Sequence, residues 1–150
     1  MREGALGDRV RVMLAQPDAR GRLRVVEALR DRYELMPLGP GEDPVRAVRS
    51  QRPALVLLEV PRAQSGNTLR ACRAIKTDAG TPPRVALLDL RGRLSHPRNA
   101  VEGCLADGYL GRELASAELA GFVADVLAGK RPIIEGERRR RGLLGRFLDR

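Results

Sequence analysis

Tryptophan is absent, and only two Tyr and two Phe occur in 150 residues. The interior must therefore be built from Leu, Val, Ala and Ile. The lack of aromatics also removes the stacking platforms that single-stranded nucleic-acid binders rely on. His96 is the only histidine, and Cys72 and Cys104 are the only cysteines, with no CxxC spacing. That argues against a zinc site, a disulfide framework, and a Ser-His-Asp or Cys-His catalytic arrangement. The two thiols read as buried side chains. No GxGxxG or GxxxxGK[ST] sequence is present to cradle a nucleotide phosphate, so neither an enzyme nor a cofactor is expected. No apolar run approaches the ~18 residues of a membrane span. The opening residues MREGALGDR lack the apolar stretch of a secretory signal, so a cytoplasmic location is expected.

What the chain does have is positive charge and a core. Lys+Arg is 28 against 19 Asp+Glu, giving a net charge of +9, and 43% of residues are apolar. Lys76 and Lys130 are the only lysines, so Arg supplies nearly all of the basic residues. Between Gly129 and Arg150 there are eight Lys/Arg and three Asp/Glu, so the charge is concentrated in the tail. A chain of this length suits one domain with short extensions: residues 1–8, a domain over 9–129, and a basic tail over 130–150.

Along the domain, short apolar runs alternate with amphipathic stretches. Val10 to Ala15 reads as a buried strand. Asp18 is placed to cap a helix whose apolar positions are Ala19, Leu23, Val26, Leu29 and Tyr33. Tyr33 to Leu38 is a weaker strand, and Pro37 argues for an edge position. Asp43-Pro44 opens a second helix. Ala54 to Val60 and Arg84 to Leu90 are the most apolar strands, and each carries one acid near its end, Glu59 and Asp89. Helices follow near 67–77 and 99–106. A short strand comes next at Tyr109-Leu110, and a helix capped by Ser116 closes the domain. Nearly continuous apolar strands mean burial on both faces. The expected fold is therefore α/β, a doubly wound five-stranded parallel sheet covered by helices. In such folds the crevice lies at the C-terminal strand ends, where Gln16, Asp18, Glu59, Asp89 and Arg112 fall.

Three stretches are more specific: QPDAR after the first strand, YELMPLGPGEDPVRAVRSQRPALVLLE through the third, and AVEGCLADGYLGREL into the last helix. Over roughly Arg9 to Gly129 they resemble the receiver domain of response regulators, a chemotaxis-regulator-like, flavodoxin-like (βα)5 sandwich. Working receivers form an aspartyl phosphate with the help of Mg²⁺ held by an acidic pair. A Thr or Ser and a Lys then contact the phosphoryl oxygens. The resemblance puts the acidic pair at Leu14 and Ala15, the phosphoacceptor at Glu59, the Thr/Ser at Asp89 (or its neighbour Leu88), the Lys at Arg112, and a switch aromatic at Tyr109. The loop after Glu59 is one residue shorter than usual. Hydrocarbon cannot hold a hard cation, and Glu is one methylene longer than Asp. The resemblance therefore implies a degenerate pseudo-receiver that does not accept phosphate and holds no metal.

Alternatives remain at single positions. Glu59 is either a built-in mimic of the phosphorylated state or a drifted strand-end acid. Arg112 either pairs with Glu59 or Asp89 or is solvated. Tyr109 is either a signalling aromatic or a core-edge residue. The expected function is a signalling module in a bacterial two-component-like or polarity pathway, acting on a protein partner or a second copy of itself through a face around Leu105, Tyr109, Leu114 and Phe122. In the tail, Arg138, Arg139, Arg140 and Arg141 precede an apolar side formed by Leu143, Leu144, Phe147 and Leu148. This basic amphipathic pattern suits an anionic membrane surface, at the inner face of the membrane, or a partner's groove. The alternatives from other classes are an unconventional phosphoacceptor and a nucleic-acid binder using the tail. The shortage of aromatics speaks against the second.

Overall fold

Aliphatic runs too short to be helices pair here into one wholly parallel sheet. The computed structural model describes residues 9–136 apart from 62, 64 and 79. The first extension, and the tail residues Arg138 to Arg141, Leu143, Leu144, Phe147 and Leu148, lie outside the described residues. In chain order the elements are β1 (Arg11–Ala15), α1 (Ala19–Leu29), β2 (Glu34–Pro37), α2 (Pro44–Gln51), β3 (Leu55–Glu59), α3 (Ser65–Thr77), β4 (Arg84–Leu88), α4 (Pro97–Cys104), β5 (Gly108–Leu110), α5 (Ser116–Leu127) and β6 (Ile133–Ile134). The strand order is β2-β1-β3-β4-β5-β6. The expected α/β flavodoxin-like architecture is present, with Pro37 on an edge strand.

Alternation along each strand feeds two apolar layers. Met13, Val56, Leu58, Val85, Leu87 and Tyr109 face α2, α3 and α4. Val12, Leu14, Leu55, Leu57, Ala86, Leu88 and Leu110 face α1 and α5. All of these strand residues are 3% exposed or less. The buried stripe of α1 is Gly21, Val25 and Leu29, rotated from the expected one, so Leu23 is 58% exposed. Both stripes satisfy helical spacing, and packing of α1 against α5 selects between them. The cap of α5 is Ala115 rather than Ser116. Because Ala115 offers no acceptor, the Glu118 carboxylate reaches back to accept its N–H at 3.3 Å.

The sixth strand was not expected. After α5 the chain turns at Gly129 (φ 83°) and runs back beside β5, pairing Tyr109 with Ile133 and Leu110 with Ile134. The two isoleucines pack onto opposite layers, so the stretch assigned to a basic tail begins as an edge strand. Gly108 lies close under α5, where a Cβ would be 2.8 Å from Val126 Cγ2.

At the N-terminal edge of the sheet, the Asp107 side chain joins β4, β5 and α3. Its Oδ2 accepts the Val85 N–H at 2.8 Å and Lys76 Nζ at 2.7 Å. Lys76 Nζ also donates to the Pro83 carbonyl at 2.9 Å. The two charged side chains are only 13% and 9% exposed. Cys72 and Cys104 are buried free thiols. Hydrogen bonding with Cys104, then burial, hold the Cys72 thiol far above its ordinary range. Breaking the ion pair from one side strands a poorly solvated ammonium. Asp107→Ala is expected to cost about 3 kcal/mol or more in urea denaturation.

Candidate functional site

Gln16 and Glu59 sit at the C-terminal ends of neighbouring strands. β1 pairs with β3 through Ala15↔Leu58, and one further step along both chains sets Gln16 beside Glu59. Gln16 is 2% exposed. Its backbone carbonyl accepts Arg22 NH1 at 2.6 Å, whereas its side-chain Oε1 is buried with no hydrogen-bond partner. Asp18 caps α1 by accepting the Gly21 N–H at 3.4 Å, a long bond. Its own N–H donates to Glu59 Oε1 at 3.1 Å. Thr68, in the first turns of α3, donates to the Glu59 carbonyl at 3.3 Å.

Burial raises the Glu59 carboxyl above its ordinary value. The N–H bond from Asp18 and the charges of Arg22 and Arg91 oppose this, while the Asp18 carboxylate adds to it. The expected acidic-pair positions, Leu14 and Ala15, are the last two residues of β1. Leu14 is fully buried in the α1/α5 layer, because alternation turns it away from the crevice. Ala15 ends the strand, and the first crevice side chain with an oxygen is Gln16.

On the other side of the crevice, Asp89 follows the last residue of β4. It is 0% exposed and fully engaged. Its Oδ1 accepts the Arg93 N–H at 2.7 Å. Its Oδ2 accepts the Leu94 N–H at 2.9 Å and the Tyr109 hydroxyl at 2.6 Å. The backbone adds bonds from Asp89 N to the Leu110 carbonyl and from Gly92 N to the Asp89 carbonyl, both 2.8 Å. Tyr109 is 1% exposed and points inward. Gly111 permits this, since a Cβ at that position would lie 2.8 Å from Tyr109 Cε2. Leu88 packs in the α1/α5 layer, so Asp89 occupies the position left open between them.

Arg112 does not form the expected pair. It is exposed, and among the described residues no ion pair joins it to Glu59 or Asp89. The two acids need no shared cation, because backbone N–H groups and the Tyr109 hydroxyl already serve them. The expected interaction face also breaks up. Tyr109 belongs to the α2/α3/α4 layer and Phe122, 3% exposed, to the α1/α5 layer, on opposite sides of the sheet. Leu105 is 37% exposed with φ 65°, and Leu114 is half-buried.

The donor set does not suit the divalent cation that the resemblance implies. Such an ion takes six or so oxygen ligands, commonly several carboxylates. Here β1 ends in Ala15-Gln16-Pro17, and the Asp18 carboxylate caps a helix. Among the described residues, no three His, Cys, Asp or Glu side chains gather into a metal-binding group.

No family model matches the chain, and no curated protein matches it in sequence. Solved structures do resemble it. A provisionally named response regulator from Chloroflexus aurantiacus aligns with a TM-score of 0.69 at 19% identity, covering 81% of this chain and 99% of that one. The chemotaxis response regulator CheY4 of Vibrio cholerae aligns with a TM-score of 0.65 at 15% identity over 79% of this chain and 98% of that one. A LuxR-family two-component response regulator from Aurantimonas aligns with a TM-score of 0.64 at 21% identity, covering 93% and 99%. At these identities the likeness is one of fold. Among the described residues no helix is long and apolar enough to cross a membrane.

Two outcomes follow from the site geometry. Tyr109→Phe removes one of three donors to a buried carboxylate and is expected to cost about 1–2 kcal/mol in chemical denaturation. For Glu59, the folded state holds its proton more tightly than the unfolded chain. Its contribution is therefore complete below the ordinary carboxylate value of 4.5 and declines as pH rises through the raised folded value. Glu59→Gln is expected to raise Tm at pH 7, with the gain shrinking as pH falls below that range in a thermal-denaturation series.

Proposed function

We propose that the chain is a pseudo-receiver, a signalling module of response-regulator architecture that acts by protein–protein contact and does not accept phosphate. The receiver fold supports a place in two-component-like or polarity signalling. The observation that carries the reading is the closed Asp89–Tyr109 pair, with the Asp89 carboxylate also engaged by two loop N–H groups. A phosphate-driven switch needs a hydroxyl that can move toward the phosphoryl group, together with an aromatic free to follow it. Here the hydroxyl position holds a carboxylate, and the aromatic is already bonded to it.

Glu59 supports the same conclusion. In-line attack on phosphorus demands a carboxylate oxygen placed to within fractions of an ångström and charge neutralised by a cation. One Glu59 oxygen is held by the Asp18 N–H, and the acids that would hold magnesium are replaced. The partner is a protein, and a second copy of this chain is one form such a partner can take. The basic tail adds targeting to an anionic surface on the strength of its sequence pattern.

The test is incubation with acetyl phosphate, or with beryllofluoride, each with Mg²⁺. Intact mass and the amide NMR spectrum are expected to stay unchanged. A phosphoryl adduct on Asp18, Glu59 or Asp89 would overturn the reading in favour of an unconventional phosphoacceptor.

A further inference from the structure

Among the described residues β6 is the shortest strand, Ile133–Ile134. Its attachment to the sheet is made entirely by residues that follow Arg131. Tyr109 pairs with Ile133 and Leu110 with Ile134. The Tyr109 N–H donates to the Pro132 carbonyl at 2.9 Å and the Gly111 N–H to the Ile134 carbonyl at 2.7 Å. The two isoleucine side chains pack onto opposite apolar layers. Glu135 adds an ion pair with Arg98 on α4 at 3.5 Å, between exposed side chains, where such pairs contribute little.

The turn that leads into this strand is strained. α5 is closed by glycine: the Gly129 N–H donates to the Val126 carbonyl and the Lys130 N–H to the Asp125 carbonyl, both at 3.0 Å, the usual pattern around a left-handed glycine. Two residues later Arg131 has φ 56°. The other described residues with side chains and positive φ, Arg52 and Leu105, are the C-caps of α2 and α4, where that conformation satisfies the last helical carbonyls. Arg131 caps no helix, because Gly129 has already closed α5. It also precedes Pro132, whose ring favours an extended residue before it. A residue with a side chain is thus held in a conformation that only glycine adopts without cost. Extending the chain at Arg131 removes that strain.

A chain opened there exposes Ile133 and Ile134 and leaves the β5 edge unpaired. The same strand from a second copy restores each lost contact. Contacts are then equal in the closed and exchanged forms, while the strain is present only in the closed one. That is the condition under which a short hinge favours exchange between copies. We infer that β6 is an exchangeable strand, and that two copies of this chain pair by each laying its β6 on the β5 edge of the other. The inference deepens the pseudo-receiver reading and rests on it, in that it names a second copy as the protein partner. Because Tyr109 pairs with the exchanged strand, the closed Asp89–Tyr109 pair lies at the junction of the two copies.

The test uses the full chain, with molar mass read by light scattering after size exclusion from micromolar to millimolar concentration. A monomer–dimer equilibrium is expected. In dimer refolded from a mixture of ¹³C,¹⁵N-labelled and unlabelled chain, the isotope-filtered NOE between Tyr109 and Ile133 is expected to run between copies. Arg131→Gly relieves the closed turn and is expected to weaken the dimer about tenfold while leaving Tm equal or higher. Arg131→Pro cannot enter the closed turn, since its φ is fixed at about −65°, and is expected to strengthen the dimer. A chain that stays monomeric at millimolar concentration, a dimer whose Tyr109–Ile133 NOE stays within each copy, or an unchanged dimer in Arg131→Gly would overturn the inference. A phosphoryl adduct after acetyl phosphate would count against the pseudo-receiver reading instead, so the two failures are distinguishable.

Discussion

A carboxylate with no solvent exposure must find its hydrogen bonds inside the protein, and Asp89 finds three. Meeting that requirement ties together parts of the chain that are far apart in sequence. The β4–α4 loop must fold back so that the Arg93 and Leu94 N–H groups point at the side chain. Tyr109, twenty residues on, must turn inward from β5, and Gly111 must stay small so that the ring fits. Each of these bonds contributes on the order of 1 kcal/mol net, but leaving the carboxylate unserved would cost more. The penalty for opening the arrangement is thus larger than the sum of the bonds suggests.

That asymmetry divides the crevice into two halves. On the β4/β5 side the polar groups are satisfied and the aromatic is packed. On the β1/β3 side, Gln16 Oε1 lacks a partner and, among the described residues, the Glu59 carboxylate accepts one N–H bond, from Asp18. A switch requires two arrangements of comparable free energy. On the closed side the arrangement present satisfies Asp89 in full.

The element order was legible in the sequence, because strand and helix periods differ and the aliphatic runs are bounded by Gly, Pro and Asp. Asp18 and Asp43 could be placed as caps, since capping depends on residues two or three apart. The burial of Cys72 was likewise visible from its place on the apolar side of α3. Other features were not legible. Two stripes on α1 fit the same spacing, and only its contact with α5 decides for Val25 over Leu23. The pair Ile133-Ile134 was too short to stand out from the charged stretch around it, although two adjacent β-branched residues after a Pro were a usable signal.

By itself, the sequence determined a helix-covered parallel sheet and the presence of an acid at the ends of β3 and β4. These are matters of residue type and local period. The tertiary structure decided which groups those acids meet: Asp89 takes Tyr109 and its own loop, Glu59 takes the Asp18 N–H, and Arg112 takes neither. Such choices depend on strand register and on loop closure across twenty to forty residues. Many pairings are compatible with the same composition there, and only the packed core selects one.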